Sequence, residues 1–252
     1  MKNTVVRRLL PLIGLLAFLA VWEAVPRLGL AQRTLLPTPS DLPEAFLREL
    51  SNGIWITALG NSLFHYALGL LVGAGCGIGL GILTGMFGVA EGLFAWVSRI
   101  LRPMPGLAWV PFAILWFGVS EAGAVFIISI GVFWIVYFAT FGAIRSVDRD
   151  LIEVAQAFGF SSAWERLIKV MLPAATPGIL VGLRTALGQA WMSVVAAELF
   201  GVSGLGSRMM QASSLLATDI VVVYMLTMAA LYGLMDAFFM FSQGRLLRWR
   251  PS

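Results

Sequence analysis

Charge and chemically reactive side chains are scarce in this sequence of 252 residues. It has one cysteine, one histidine and only 12% Asp, Glu, Lys and Arg. A soluble domain carries about 25% charged residues, so water is not the main surroundings of this chain. The lone Cys76 excludes an internal disulfide and any thiolate metal site. The lone His65 excludes a two-histidine metal site, and with it the His-Glu-x-x-His metalloprotease pattern. No Gly-x-x-x-x-Gly-Lys-Ser/Thr run is present to cradle nucleotide phosphates. No metal, cofactor or catalytic residue is expected. What fills the sequence instead is apolar: 59% hydrophobic residues and a mean hydropathy of +0.89. A soluble enzyme, a nucleic-acid-binding domain and a disordered linker are excluded together. The net charge of +4 is the basic excess that marks cytoplasmic loops of membrane proteins.

A helix needs about 20 apolar residues to cross the hydrocarbon. That rule gives six spans: residues 9–25, 63–87, 95–117, 122–144, 174–200 and 220–242. The basic start leads into the first span without a clean small-residue cleavage site, so that span is expected to be retained. The runs are continuous and do not alternate, which excludes a barrel. With the N-terminus inside, the inner side collects Lys2, Arg7, Arg8, Arg99, Arg102, Arg145, Arg149, Arg166, Lys169, Arg245, Arg248 and Arg250. The outer side holds Arg27, Arg33, Arg48 and Arg208, and Arg184 falls within a span. This bias orients the chain with both termini inside.

Residues 27–56 are expected outside. There Ser40 is a candidate helix cap, and Leu42, Phe46 and Leu50 share the face of a short surface helix. Residues 201–219, rich in Gly and Ser, read as a second outer loop, with Asp219 capping the sixth span. In the second span Gly69, Gly73, Gly77, Gly81 and Gly85 recur every fourth residue. Small residues at that spacing let helix backbones touch in lipid. Pro103, Pro105 and Pro111 interrupt the third span. Broken backbone at membrane depth survives only where protein or a water-filled cavity covers it.

The most polar stretch, residues 145–173, lies inside and reads as helix, turn, helix. Asp148 and Asp150 suit the first helix N-terminus, Gly159 its C-cap, and Ser161 or Ser162 the second N-cap. Pro173 is expected to end the segment. Ala155 and Ala157 give the first helix a smooth surface suited to a cleft on a soluble partner.

Glu153-Val154-Ala155-Gln156-Ala157-Phe158-Gly159, followed by Val170-Met171-Leu172-Pro173, resembles the E-A-A-x-x-x-G…I-x-L-P loop of ABC importer permeases. Val154 and Val170 stand where that loop has alanine and isoleucine. Further resemblance lies in Leu36-Pro37-Thr38-Pro39, Pro105-Gly106-Leu107-Ala108-Trp109-Val110-Pro111 and Leu115-Trp116-Phe117-Gly118. It continues in Gly182-Leu183-Arg184, Val195-Ala196-Ala197-Glu198, Gly204-Leu205-Gly206 and Thr218-Asp219. These are similar to the branch serving nitrate, aliphatic sulfonates and taurine, with Gly106 as one departure.

The resemblance implies an all-α membrane protein of six transmembrane helices, with residues 1–252 as one permease domain and 145–173 as its coupling loop. It implies two cytoplasmic ATPase subunits, a second permease copy, and a periplasmic or lipid-anchored binding protein, in the bacterial inner membrane. The expected cargo is taurine or another aliphatic sulfonate, with nitrate or a related small anion as the alternative. Glu153, Ala155, Ala157, Gly159, Leu172 and Pro173 are the expected coupling residues. Pro105, Trp109, Pro111, Arg184 and Glu198 are candidates for the path.

Charges at membrane depth are costly and point to function by default. Arg184 either attracts an anion or pairs with an acid such as Asp236. Glu198, near the outer end of its helix, suits a structural or gating role. Glu23 and His65 are expected to reach interfacial water or pack in pairs. An intramembrane enzyme is the competing class. Ser62 lies three residues from His65, but the sequence offers no third group to orient them.

Overall fold

The computed structural model describes residues 2–247, with side chains from Leu10 onward. Arg248 and Arg250 lie outside the described residues, as do the side chains of Lys2, Arg7 and Arg8. The chain forms α1 (Lys2–Arg27), α2 (Leu42–Ser51), α3 (Ile54–Met86), α4 (Gly88–Leu101) and α5 (Val110–Phe117). It continues as α6 (Glu121–Arg145), α7 (Arg149–Ala157), α8 (Ala163–Arg166), α9 (Leu172–Leu199), α10 (Leu205–Ser214) and α11 (Thr218–Leu246). Five stretches are long and apolar enough to span a membrane, and a bent pair makes a sixth.

The bundle is built around α3, α6 and α9. The five glycines of α3 bring its backbone directly against α6. A Cβ on Gly73 would lie 2.5 Å from the Ser129 carbonyl oxygen, and one on Gly77 2.9 Å from that of Phe133. Gly69, Gly81 and Gly85 meet Ile128, Thr140 and Ile144 in the same way, whereas Gly75 and Gly79 face open space. Only the four-residue series therefore forms the contact, and it runs nearly the length of α6. On the far side of α6, Gly178 and Gly182 of α9 sit against Ala143 and Ala139. Tyr66, Val132, Ala186, Trp191, Leu205 and Tyr224 join α3, α6, α9, α10 and α11 in one core.

Three elements differ from the sequence reading. The third span is not a kinked rod: α4 and the stretch Gly106–Phe117 meet at 93°. Pro103 and Pro105 remove two backbone donors where the chain turns, and a 3₁₀ turn over Gly106–Trp109 restarts the helix. Arg102, counted with the inner basic residues, lies with its Cζ 4.4 Å from the Phe138 ring centroid, two turns along α6 from Arg145. The Gly- and Ser-rich outer stretch contains the helix α10. Its start is satisfied from α3 and from its own first turn: Leu205 N donates to Ser62 Oγ at 2.9 Å and Gly204 N to Ser207 Oγ at 2.9 Å.

Pro173 does not stop the inner segment. Helical structure continues from Ala163 to Leu199, through a π turn over Leu167–Met171. Proline lacks the N–H that would bond one turn back, and the widened turn before it absorbs that gap.

Two caps also move. Ser40 bonds Glu23 instead, through its N (3.1 Å) and Oγ (2.8 Å). Thr38 and Asp41 close the turn that leads into α2, with Thr38 Oγ1 2.6 Å from Asp41 Oδ2. Asp219 lies inside the first turn of α11 and pairs with Arg48.

Candidate functional site

One end of the bundle presents the polar segment. Asp148 accepts from Asp150 N at 3.0 Å and starts α7. The helix closes in a Schellman arrangement: Phe160 N bonds Ala155 O and Gly159 N bonds Gln156 O, both at 3.0 Å. Gly159 has φ +92°, where a β-carbon residue is strained. Ser162 caps α8 through Trp164 N at 3.3 Å. The pair is anchored by Leu167, which inserts beside Ile144, Ala175 and Ile179.

What this end leaves uncovered is apolar. Phe158 is 79% and Trp164 67% exposed, with Leu151, Val154 and Ile168 also exposed. Glu153, Ala157 and Pro173 lie on the surface, and Leu172 is half-buried. Ala155 is buried (5% exposed) and faces its own subunit, so the smooth outer face expected of it is absent. Its small side chain admits the close packing of α7 instead. Among sequence features, the i, i+4 relation of Val154 and Phe158 is the one that marks the exposed face.

At the break of the third span lies a cavity of about 350 Å³. Arg102, Met104, Pro105, Trp134, Gln189 and Ser193 are among its lining residues. Pro105 thus reaches it, whereas Trp109 packs on Phe112 and Phe126, with centroids 6.0 and 6.2 Å apart. Pro111 occupies the first turn of α5, where a missing N–H costs nothing.

Arg184 is held by Asp236 through two parallel bonds, Nε–Oδ1 2.8 Å and Nη2–Oδ2 2.9 Å. This fork satisfies both charges between α9 and α11.

Glu198 is fully buried. It accepts from Ser62 Oγ (2.7 and 2.9 Å), Gly206 N (2.8 Å) and His65 Nδ1 (3.0 Å). His65 Nε2 bonds Glu121 at the start of α6. A Cβ on Gly204 would fall 2.1 Å from the Glu198 carboxyl carbon, so only glycine fits there. The third group missing from the sequence reading of Ser62 and His65 is therefore Glu198. The arrangement is nonetheless a clasp and no triad: the Ser62 proton goes to Glu198, and its oxygen accepts from Leu205 N. Four elements, α3, α6, α9 and α10, are tied at this point. The signal available in the sequence was the cost of leaving a lone His and a Glu unpaired at depth.

Outside the spans at this end, Arg208 forks onto Glu49 at 2.9 and 2.6 Å, and Tyr224 OH donates to Glu49 at 2.8 Å. The Arg208 hydrogen bonds hold the Glu49 carboxyl below the usual carboxylate range, against the opposing effect of burial.

Comparison with known proteins agrees with this architecture. Residues 77–250 match the family described as "Binding-protein-dependent transport system inner membrane component". The chain is 39% identical to a putative aliphatic sulfonates transport permease of Bacillus subtilis, over 93% of this chain and 85% of that one. It is 34% identical to the taurine transport system permease of Escherichia coli (94% and 88% covered). Identity to the bicarbonate transport system permease of Synechococcus elongatus is 32% (95% and 90%). A chain of the inward-facing MetNI methionine ABC transporter superposes with a TM-score of 0.63 at 19% identity, covering 79% of this chain and 97% of that one. The chain belongs to the family of binding-protein-dependent transport system inner membrane components, multi-pass permeases of ABC importers rather than enzymes.

Proposed function

We propose that this permease forms, with a second copy of itself, the translocation path of an ATP-driven importer for a small organic anion of the sulfonate class. In this reading residues 1–252 make one permease domain, both termini are cytoplasmic, and residues 145–173 receive two ATPase subunits. A binding protein delivers cargo at the opposite end. The observation that carries the reading is the capped α7–α8 pair, with Val154, Phe158, Trp164 and Ile168 left exposed in an otherwise polar segment. An apolar patch rimmed by charge marks a protein contact. The names of the Bacillus subtilis and Escherichia coli relatives support the cargo class.

Two measurements test it. Proteoliposomes holding the permease, its ATPase and its binding protein should accumulate ethanesulfonate only with ATP. In a Cys76→Ser background, Ser203→Cys should react with an impermeant thiol reagent on intact cells and Arg149→Cys should not. No ATP-driven uptake of any small anion overturns the assignment, and outside labelling at Arg149→Cys overturns the orientation.

A further inference from the structure

The cavity at the break of the third span has a one-sided chemistry. Its polar lining residues are Arg102, Gln189 and Ser193, with Trp134 beside them, and neither Asp nor Glu is among them. Arg102 lies over Phe138 and makes no ion pair among the described residues; Glu91, which lines the adjoining cavity with it, is taken by Arg145. This differs from Arg184, which Asp236 satisfies completely. Ser193 is more than nine-tenths buried, and its hydroxyl borders the cavity lining.

Two bare backbones keep that space open. A Cβ on Gly131 would lie 2.7 Å from Ser193 Oγ and 3.8 Å from the Gln189 amide nitrogen. One on Gly106 would lie 3.8 Å from the same hydroxyl. The remaining wall is aliphatic: Met104, Leu107, Ile130, Ile135, Met192 and Ala196. The volume of about 350 Å³ is at the small end of the range of about 300–1,000 Å³ for ligand sites.

Building on the importer reading above, we propose that this cavity is a cargo-binding station selective for an aliphatic oxyanion without an amino group. Arg102 takes the anionic head in charge-assisted bonds. Ser193 and Gln189 supply further donors, and the aliphatic wall takes the alkyl chain. An ammonium group on the cargo would meet no carboxylate in this lining, so taurine is disfavoured against ethanesulfonate, which differs from it by that group alone. Bicarbonate has no alkyl part and leaves the aliphatic wall unfilled.

The test is equilibrium binding of radiolabelled ethanesulfonate, taurine and bicarbonate to the purified permease–ATPase complex without binding protein. Ethanesulfonate should bind saturably, and taurine and bicarbonate about tenfold more weakly or worse. Arg102→Gln should reduce ethanesulfonate binding about tenfold or more, while Arg102→Lys restores most of it. Ser193→Ala should weaken binding a few-fold, and this variant keeps the test available if Arg102→Gln fails to assemble. Equal binding of taurine, or unchanged binding in Arg102→Gln or Ser193→Ala, overturns the proposal. If the complete importer accumulates ethanesulfonate with ATP and the complex shows no saturable site, this inference fails while the function stands. If ATP drives no uptake of any small anion, the functional reading itself fails.

Discussion

The two ends of the bundle solve the same problem in opposite ways. At the end carrying α10, polar groups are numerous and find their partners inside the subunit: Glu198 with Ser62, His65 and Gly206 N, Glu49 with Arg208 and Tyr224, Arg48 with Asp219. At the end carrying α7 and α8, the backbone is fully capped but large apolar side chains are left uncovered. The first end is complete within one chain. The second has its conformation fixed and its surface unfinished, which is how a contact site for another protein is built. Rigid caps at Asp148, Gly159 and Ser162 hold Phe158 and Trp164 in place before any partner arrives, so little ordering cost remains at binding.

The comparison can be broken most severely at Glu198. Glu198→Ala leaves the Ser62 hydroxyl proton, His65 Nδ1 and the Gly206 amide without their partner in the interior, a loss of about 3–5 kcal/mol. Little folded protein should be recovered from the membrane, as read by size-exclusion and thermal unfolding in detergent. Next is Gly77→Leu, whose side chain enters the α3–α6 contact. Overpacking of this kind costs about 1–3 kcal/mol or more, and the same unfolding assay should show it. Normal abundance and melting would mean that this helix face is not a packed contact.

Gly159→Val should have a smaller effect on stability, about 1–2 kcal/mol for the strained φ. Its larger consequence is a displaced Phe158, seen as weakened ATPase retention with spans still inserted. The smallest effect belongs to the exposed pair: Asp219→Asn should change stability by about 0–1 kcal/mol. Acid sharpens the contrast between the ends. Because the folded Glu49 carboxyl titrates below its ordinary value of 4.5, its contribution is full above that pH. It is lost as pH falls through the folded value. Melting temperature should therefore drop on acidification below about pH 4.5, and Glu49→Gln should flatten that dependence.

Much of this architecture was legible in the sequence because it is local. A glycine every fourth residue specifies a helix contact, and α6 is the helix that meets it. Asp148, Gly159 and Ser162 mark helix ends by chemistry that acts within a few residues. The clasp was not legible, since Glu198 lies 136 residues from Ser62 and 133 from His65, and only tertiary structure joins them. α10 was read as loop because Gly and Ser are turn formers, yet the distant Ser62 and the buried Glu198 of α9 satisfy its first amides. Ala155 was placed on the wrong face because an alanine-rich turn leaves no apolar stripe to show which side packs inward. The cavity beside Arg102 follows from a 93° bend that prolines permit without fixing its angle.

The central claim, that the α7–α8 end is the unfinished surface which an ATPase completes, is tested most directly by the amount of ATPase that remains with the permease. Phe158→Asp places a charge at the most exposed point of the patch, and because Phe158 caps α7 through its backbone N–H, the change leaves that bond in place. Purified beside the unmodified chain and Asp219→Asn, it should retain its fold and thermal stability yet lose most of its ATPase, whereas Asp219→Asn keeps a full complement. Full ATPase retention by Phe158→Asp would contradict the account.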